Sequence, residues 1–238
     1  MLDTPQQVNR LAVRDALGFP ALMLLASMTG FGSLARESGL PLGVALASTA
    51  GIWGLPGQVA MAELYAAGTP VMFVILAVSL ANARFMPMAV SFIPLMRHHV
   101  RSYGWMFLLV QFMSINSWAA GLRRFDEINP GLRQRYYIVF ALICMSSGLA
   151  GTFLGFVGVT AMPRPVALGL IFLNPLFFAV LLAGSRTRIA ALALAIGAPL
   201  GPVFHLVSPD WGLLATGVVG GSAAFLINRT MESKTAHD

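Results

Sequence analysis

The sequence has little charge, and this shortage excludes a soluble protein. Charged residues make up 10% of the 238 residues, whereas a soluble domain of this size carries about 25%. A surface that faces water cannot be built from so few charges. With 57% hydrophobic residues and a mean hydropathy of +0.77, the composition indicates an integral membrane protein. The long apolar runs favour transmembrane helices.

The sequence also has too few reactive groups for an enzyme. Its single cysteine, Cys144, excludes a disulfide within the chain and supports no metal cluster. We find no Ser-His-Asp set with plausible partners and no phosphate-binding Gly-Lys-Ser/Thr loop. The adjacent pair His98 and His99 favours a loop role over a metal site, because neighbouring residues rarely chelate one ion. We therefore expect no enzyme activity, no metal and no cofactor. Without an ATPase domain, any transport would be secondary or passive.

Eight apolar runs approach the roughly 20 residues that a helix needs to cross about 30 Å of hydrocarbon. They are Ala16 to Ala35, Leu42 to Leu64, Pro70 to Ile93, Trp105 to Leu122, Ile138 to Val159, Val166 to Gly184, Ile189 to Leu206, and Gly212 to Ile227. The connections are brief. We expect an all-α, polytopic transmembrane helical bundle with about eight hydrophobic segments, six to eight true spans and some broken helices.

The flanking residues predict how the chain is arranged around this bundle. Residues 1–15 are expected to form a polar cytoplasmic segment, 16–228 the transporter domain and 229–238 a cytoplasmic tail. The first segment is too polar for a cleavable signal, so the first run should act as an uncleaved anchor. Most arginines fall on the cytoplasmic side when both termini do, which also argues against nucleic-acid binding. The loop Arg97 to Arg101 disagrees, unless runs two and four are re-entrant.

One helix is predicted to be broken. The stretch Gly51 to Gln58 lies in the second apolar run and contains three glycines and a proline. Proline removes a backbone donor and glycine weakens a helix, so the break should involve Gly54, Pro56 and Gly57. Transporters commonly build substrate sites at such breaks, and Gln58 offers a donor and an acceptor. The alternative interpretation is a kink filled by neighbouring side chains.

A second feature is a charge in the middle of the third run. Arg84 lies about nine apolar residues from either end, where a charge costs about 2.5 to 3.5 kcal/mol on insertion scales. Arginine keeps its charge, so Arg84 should face the bundle interior and have a partner. One interpretation is an anchor for a substrate carboxylate. The other is a structural ion pair with Glu63, near the end of the second run.

The sequence carries several short motifs in a fixed order. They are Phe31-Gly32 followed by Glu37-Ser38-Gly39-Leu40, the segment Gly54 to Gln58, Asn82-x-Arg84, Arg133-x-Arg135-Tyr136-Tyr137, and Asn174-Pro175-Leu176-Phe177-Phe178. In these motifs the chain resembles the AzlC family of branched-chain amino-acid exporters. The resemblance implies export of small neutral amino acids across a bacterial-type inner membrane, with a small partner subunit of the AzlD type. It makes Gln58, Asn82 and Arg84 substrate-binding candidates, and Pro175 a second broken helix.

The chain departs from the family pattern in the fourth run. Many relatives carry an Asp-Glu pair there, whereas this chain has Ser114-Ile115-Asn116-Ser117. Neither Asn116 nor Ser117 ionises near neutral pH, so the coupling ion stays open. We include Asn116 among the substrate-binding candidates. The expected function is secondary, alternating-access export. The alternatives are a membrane scaffold whose activity resides in a partner, or a passive channel.

Overall fold

The computed structural model describes residues 2–96, 102–158, 163–183, 188–207, 216 and 218–227. The loop Arg97 to Arg101, with the pair His98 and His99, lies outside the described residues. The same holds for the expected tail, residues 229–238.

The described chain is built from helices. They are α1 (Pro5–Leu17), α2 (Phe19–Glu37), α3 (Leu42–Gly51), α4 (Leu55–Ala66), α5 (Val71–Asn82), α6 (Phe85–Phe92), α7 (Tyr103–Gln111), α8 (Ile115–Arg124), α9 (Arg133–Gly158), α10 (Arg164–Ala183), α11 (Arg188–Val207) and α12 (Val218–Ile227). Two single-turn 3-10 helices cover Ile93–Leu95 and Pro130–Leu132. Outside the helices, an isolated parallel bridge joins Leu2 to Ile128. The predicted all-α helical membrane bundle is confirmed.

By length and composition, Pro130–Gly158 is the one unbroken helix in the described residues that is long and apolar enough to cross a membrane. Three bent pairs qualify only when each pair counts as one span: α1 with α2 (43°), α5 with α6 extended to Leu95 (43°), and α7 with α8 (106°). This gives up to four spans among the described residues. A helix that bends sharply inside a membrane must satisfy its freed backbone groups within the protein.

The chain divides into two compact units, Met1–Asn174 and Pro175–Asp238. In the first unit α9 is the central helix, and α1, α2, α3 and α8 pack against it. In the second unit α11 and α12 approach closely at Gly197 and Gly220, where a Cβ on Gly220 would lie 3.6 Å from the Cα of Gly197.

Small residues bring α2 and α9 into backbone contact. A Cβ on Gly155 would overlap the carbonyl oxygen of Thr29, and a Cβ on Gly151 would overlap that of Leu25. Glycine at these two positions lets the helices approach more closely than any other residue would allow. This close approach fixes α9 against α2 and gives the first unit its core.

The N-terminal segment is a helix for most of its length. Val8, Ala12 and Ala16 are fully buried, at the four-residue spacing of one helix face, and α1 packs on α9 through this face. Asp15 closes the contact: it accepts hydrogen bonds from Arg124 of α8 (2.9 Å) and from the hydroxyl of Tyr136 of α9 (2.8 Å). The segment expected to be merely polar is therefore part of the folded bundle.

The expected second broken helix falls within the range of α10, Arg164–Ala183. A proline inside an apolar helix removes one backbone hydrogen bond, and neighbouring groups can satisfy the freed carbonyl without ending the helix. The role of Pro175 as a break stays a prediction.

Candidate functional site

Three interruptions between consecutive helices shape the candidate site. The first break, Ile52 to Gly54, separates α3 from α4; the second break, Ala83 and Arg84, separates α5 from α6; the third break, Phe112 to Ser114, separates α7 from α8. The first lies where the glycines and proline predicted it. The second and third contain neither residue type. The second was not predicted, and the third lies in the fourth run, for which the sequence left a re-entrant segment open.

The first break leaves the start of α4 open. Gly54 is the N-cap in an extended conformation (φ −145°, ψ 101°), and no side chain caps the helix. The first hydrogen bond of the helix runs from the Gln58 amide to the Gly54 carbonyl (3.0 Å). Backbone N–H groups before it have no partner within the helix, and the helix dipole makes this end attractive to an anion. Pro56 lies in this first turn, where a missing donor costs least.

Gln58 is the most buried of the predicted site residues, with no exposed surface. Its Nε2 donates to the hydroxyls of Thr49 (3.0 Å) and Ser48 (3.3 Å) of α3. Thr49 in turn shares a hydrogen bond with Thr152 of α9 (2.9 Å). The Oε1 atom of Gln58 is buried and has no partner. Half of this amide therefore holds α4 to α3 and α9, and the other half is free to bind.

Asn82 brings the second break against the first. It ends α5, and its amide fills the space beside Gly54 of the first break and Gly57 of α4. A Cβ on Gly57 would lie 3.1 Å from both the Oδ1 and Nδ2 atoms of Asn82, and a Cβ on Gly54 would overlap Oδ1. The glycines are thus needed for close approach. Oδ1 is buried without a hydrogen-bond partner.

Arg84 lies in the second break itself and is half-buried. Its Nε is buried without a partner, and its guanidinium carbon lies 5.3 Å from the centroid of the Phe85 ring. Among the described residues, no ion pair joins Arg84 to Glu63. Glu63 is exposed on α4. The structural ion-pair interpretation therefore has no support, and Arg84 retains a donor that can serve a ligand.

The third break is tied to the first by one side chain. Gln111, the last residue of α7, donates from Nε2 to the carbonyls of Gly51 (2.7 Å) and Ala50 (3.0 Å) at the end of α3. These carbonyls have no partner within the helix because α3 stops there. Gln111 was not predicted; the signal was an amide side chain in an apolar run.

The polar stretch that replaces the family's acidic pair begins α8. Ser114 and Ser117 form a capping box, in which each hydroxyl accepts a hydrogen bond from the other residue's backbone N–H (3.2 and 2.9 Å). Asn116 lies between them, is 5% exposed, and has a buried Oδ1 without a partner. The two serines are thus accounted for by helix capping, whereas Asn116 is not.

The unpartnered atoms concentrate at the breaks. In the part of the chain that the structure describes, the buried side-chain nitrogen and oxygen atoms without a partner are Ser33 Oγ, Trp53 Nε1, Gln58 Oε1, Asn82 Oδ1, Arg84 Nε and Asn116 Oδ1. All but the first belong to a break or to the adjoining turns. Native proteins leave few such atoms, since each costs about 1–3 kcal/mol. Trp53 and Arg84 supply donors, and the three amides supply acceptors.

A pocket beside the third break is wholly apolar. Its lining residues come from the 3-10 turn after α6, from α7 and from the third break: Ile93, Met96, Met106, Leu109, Val110 and Met113. Methionine side chains adapt to irregular apolar shapes. The first unit therefore combines unpartnered polar groups with an adaptable apolar surface.

The family model described as AzlC protein matches residues 20–162 of this chain. No curated protein and no solved structure matches it. The AzlC family is a membrane-transport family associated with branched-chain amino acids. The match includes nearly all of α2, all of α3 to α9 and the three breaks. Because it spans more than half of the 238 residues, the chain belongs to the AzlC family.

Proposed function

We propose that this protein exports small neutral amino acids, with branched-chain amino acids as the first candidates, by secondary alternating access. The observation that carries the proposal is the concentration of unpartnered buried donors and acceptors at three helix breaks. An amino acid carries a carboxylate, which accepts hydrogen bonds, and an ammonium group, which donates them. The unpaired atoms at the breaks offer both complements.

The carboxylate would bind Arg84 and the uncapped start of α4. Arginine presents several donors in a rigid fork that suits a carboxylate. Its Nε has no partner in the described structure, and the open first turn of α4 adds N–H groups and the positive end of a helix dipole. Both belong to one neighbourhood, because Asn82 packs against Gly54 and Gly57 two residues before Arg84.

The ammonium group and the side chain would have different partners. The free amide oxygens of Gln58, Asn82 and Asn116 are acceptors, which an ammonium group requires. The branched side chain would contact apolar walls, and the first unit supplies apolar side chains such as Met106, Leu109 and Met113 beside the third break. With no acidic residue among these groups, the site selects a neutral amino acid over a cationic one.

Family membership supports membrane transport, and three further parts of the proposal rest on the arginine distribution and on the family resemblance. The protein would lie in a bacterial-type inner membrane with both termini in the cytoplasm. A small membrane subunit of the AzlD type would complete the transporter. The bundle, rather than the short polar ends, would carry the transport function, so 16–228 would be the transporter domain.

Amino-acid excretion tests the proposal directly. Cells would be loaded with leucine- or valine-containing dipeptides, and excretion compared with and without this chain, each with and without a small partner subunit. We expect faster excretion of the branched-chain amino acid. No excretion of any neutral amino acid in either condition would overturn the proposal.

The variant Arg84→Met distinguishes a carrier from a scaffold. A carrier should reach normal membrane levels with this substitution and lose excretion, because only the carboxylate anchor is removed. A scaffold should instead lose assembly or stability. Arg10→Met is the matched control, since Arg10 is exposed on α1 and its loss should leave excretion unchanged. Flux that does not saturate with substrate would indicate a passive channel.

A further inference from the structure

Trp53 has a backbone conformation that a bulky residue rarely adopts. Its φ is +48°, and it is the non-glycine residue with positive φ among those described. The left-handed region suits glycine, and tryptophan is held there only when the surroundings over-determine it. Position 53 carries tryptophan, and the glycine that would adopt this conformation without strain lies one residue later, at position 54. Residues held in strained conformations cluster at ligand-binding sites, so Trp53 is a candidate for a binding role.

The indole is wedged against α9. Trp53 is 4% exposed. A Cβ on Gly148 would lie 3.0 Å from Cζ3 and 3.3 Å from Cη2 of the ring, and 3.6 Å from Cγ of Met28. The six-membered edge of the indole thus fills the space that the glycine leaves. This contact fixes the ring, and with it the direction of the N–H group.

The N–H group of this fixed ring has no partner. Nε1 is buried and unbonded, although a buried tryptophan ordinarily finds an acceptor. Two other tryptophans illustrate this: the indole of Trp105 donates to Gln134 (3.3 Å) and that of Trp118 to Ser91 (3.2 Å). Trp53 itself lies in the first break, directly before Gly54, the N-cap of α4, which no side chain caps.

We infer that the indole N–H of Trp53 donates a hydrogen bond to the carboxylate of the transported amino acid, which makes Trp53 a substrate-binding residue. The inference rests on the proposed function and assigns it a residue that the sequence pattern did not. An indole N–H is a donor only, so it selects the carboxylate and not the ammonium group. A carboxylate accepts about four hydrogen bonds, more than Arg84 alone would satisfy.

An isosteric replacement tests this role. Trp53 would be replaced by 3-benzothienylalanine, which keeps the bicyclic shape and exchanges N–H for sulfur. Leucine affinity would be measured on purified protein, with its partner subunit, in lipid nanodiscs. We expect about tenfold weaker leucine binding, since a hydrogen bond to a charged group is lost. Binding of 3-methylbutylamine, which is leucine without its carboxylate, should be unchanged. Equal leucine affinity in both proteins would overturn the inference.

A second measurement uses NMR on the protein with its natural sequence. In protein labelled with 15N-tryptophan, the Trp53 indole signal is assigned by its absence in Trp53→Phe. We expect it to shift downfield with leucine and to stay in place with 3-methylbutylamine; a signal that stays in place at saturating leucine contradicts the inference. The control for the isosteric replacement is 3-benzothienylalanine at Trp118, whose indole N–H already donates to Ser91. If the unmodified protein neither binds nor excretes any neutral amino acid, the proposed function fails first and the inference falls with it.

Discussion

At the scale of a single residue, the two ends of the Gln58 amide have different roles. Its nitrogen joins α4 to the hydroxyls of Ser48 and Thr49, while its oxygen is buried without a partner. Both hydroxyls also donate to the carbonyl of Ala45. Removing the amide therefore leaves them satisfied, so the structural cost of losing Gln58 should be modest and the functional cost larger.

Replacing Gln58 with Met should separate these tasks. Methionine has a similar length and no hydrogen-bonding amide. We expect thermal unfolding to reveal a loss of about 1 to 2 kcal/mol, the usual worth of such hydrogen bonds, with normal membrane levels. Amino-acid export should fall about tenfold if the free oxygen binds substrate. Gln6→Met on the exposed face of α1 is the control; equal export from both variants would remove Gln58 from the site.

Replacing the exposed carboxylate of Glu63 should have little effect, in contrast to replacing Gln58. Because no ion pair links it to Arg84 in the described structure, Glu63→Gln should change the unfolding temperature by no more than about 1 °C, as surface substitutions usually do. Substrate affinity should also be unchanged. A marked loss of stability in this variant, reversed by Arg84→Met in the same chain, would restore the ion-pair interpretation.

At the scale of helices, glycine spacing decides how closely α2 and α9 pack. Gly155 allows no Cβ, because one would overlap the carbonyl of Thr29. Gly155→Ala should therefore force the helices apart and cost about 1–3 kcal/mol or more. Gly158 lies on the same helix with nothing within 4 Å of its Cβ position, so Gly158→Ala is the matched control. Thermal unfolding in detergent measures both; equal stability would show that α2 and α9 tolerate separation.

The helix breaks show which elements a sequence can predict. Glycine and proline act on the local backbone, and the stretch Gly51 to Gln58 does contain the first break: Gly54 lies in it, whereas Pro56 and Gly57 lie in the first turn of α4. The third break contains neither residue, and its 106° bend depends on a Ser114 capping box and on Gln111 reaching the end of α3. The capping box is local, but the Gln111 contact joins residues about 60 positions apart. Such long-range contacts leave little trace in composition or periodicity.

The site was predicted unevenly for the same reason. Gln58, Asn82, Arg84 and Asn116 are polar residues in apolar runs, which is a local signal, and each has a buried atom without a partner. Trp53 was not predicted as a site residue, because neither its positive φ nor its unbonded N–H can be read from the sequence.

At the scale of the first unit, Asp15 links three helices. Its carboxylate accepts from Arg124 at the end of α8 through two nitrogens (2.9 and 3.2 Å), and from the hydroxyl of Tyr136 of α9. The Asp15 side chain is only 9% exposed. Arg124 also bonds Glu127, and the backbone of Leu2 pairs with Glu127 and Asn129 nearby. The polar end of the unit is therefore one connected network, with Asp15 at its centre.

Asp15→Asn should weaken the hydrogen bonds of this network without leaving a cavity. Asparagine keeps the shape but loses the charge that attracts Arg124, and its NH2 group cannot accept from either donor. We expect a loss of about 1–3 kcal/mol, the range for a buried group that loses charged hydrogen bonds. Thermal unfolding measures this loss. Asp126→Asn, at an exposed position in the neighbouring turn, should be neutral.

A double-mutant cycle then identifies the origin of the loss. Tyr136→Phe removes one donor to Asp15, so its effect should shrink when Asp15 is already Asn, with a coupling energy of about 0.5 kcal/mol or more. Additive effects would mean that α1 is held to α9 by its buried face of Val8, Ala12 and Ala16 rather than by the polar network. Since α8 carries Asn116 in its first turn and ends with Arg124, a coupled network would join the candidate site to the anchored end of the bundle through one short helix.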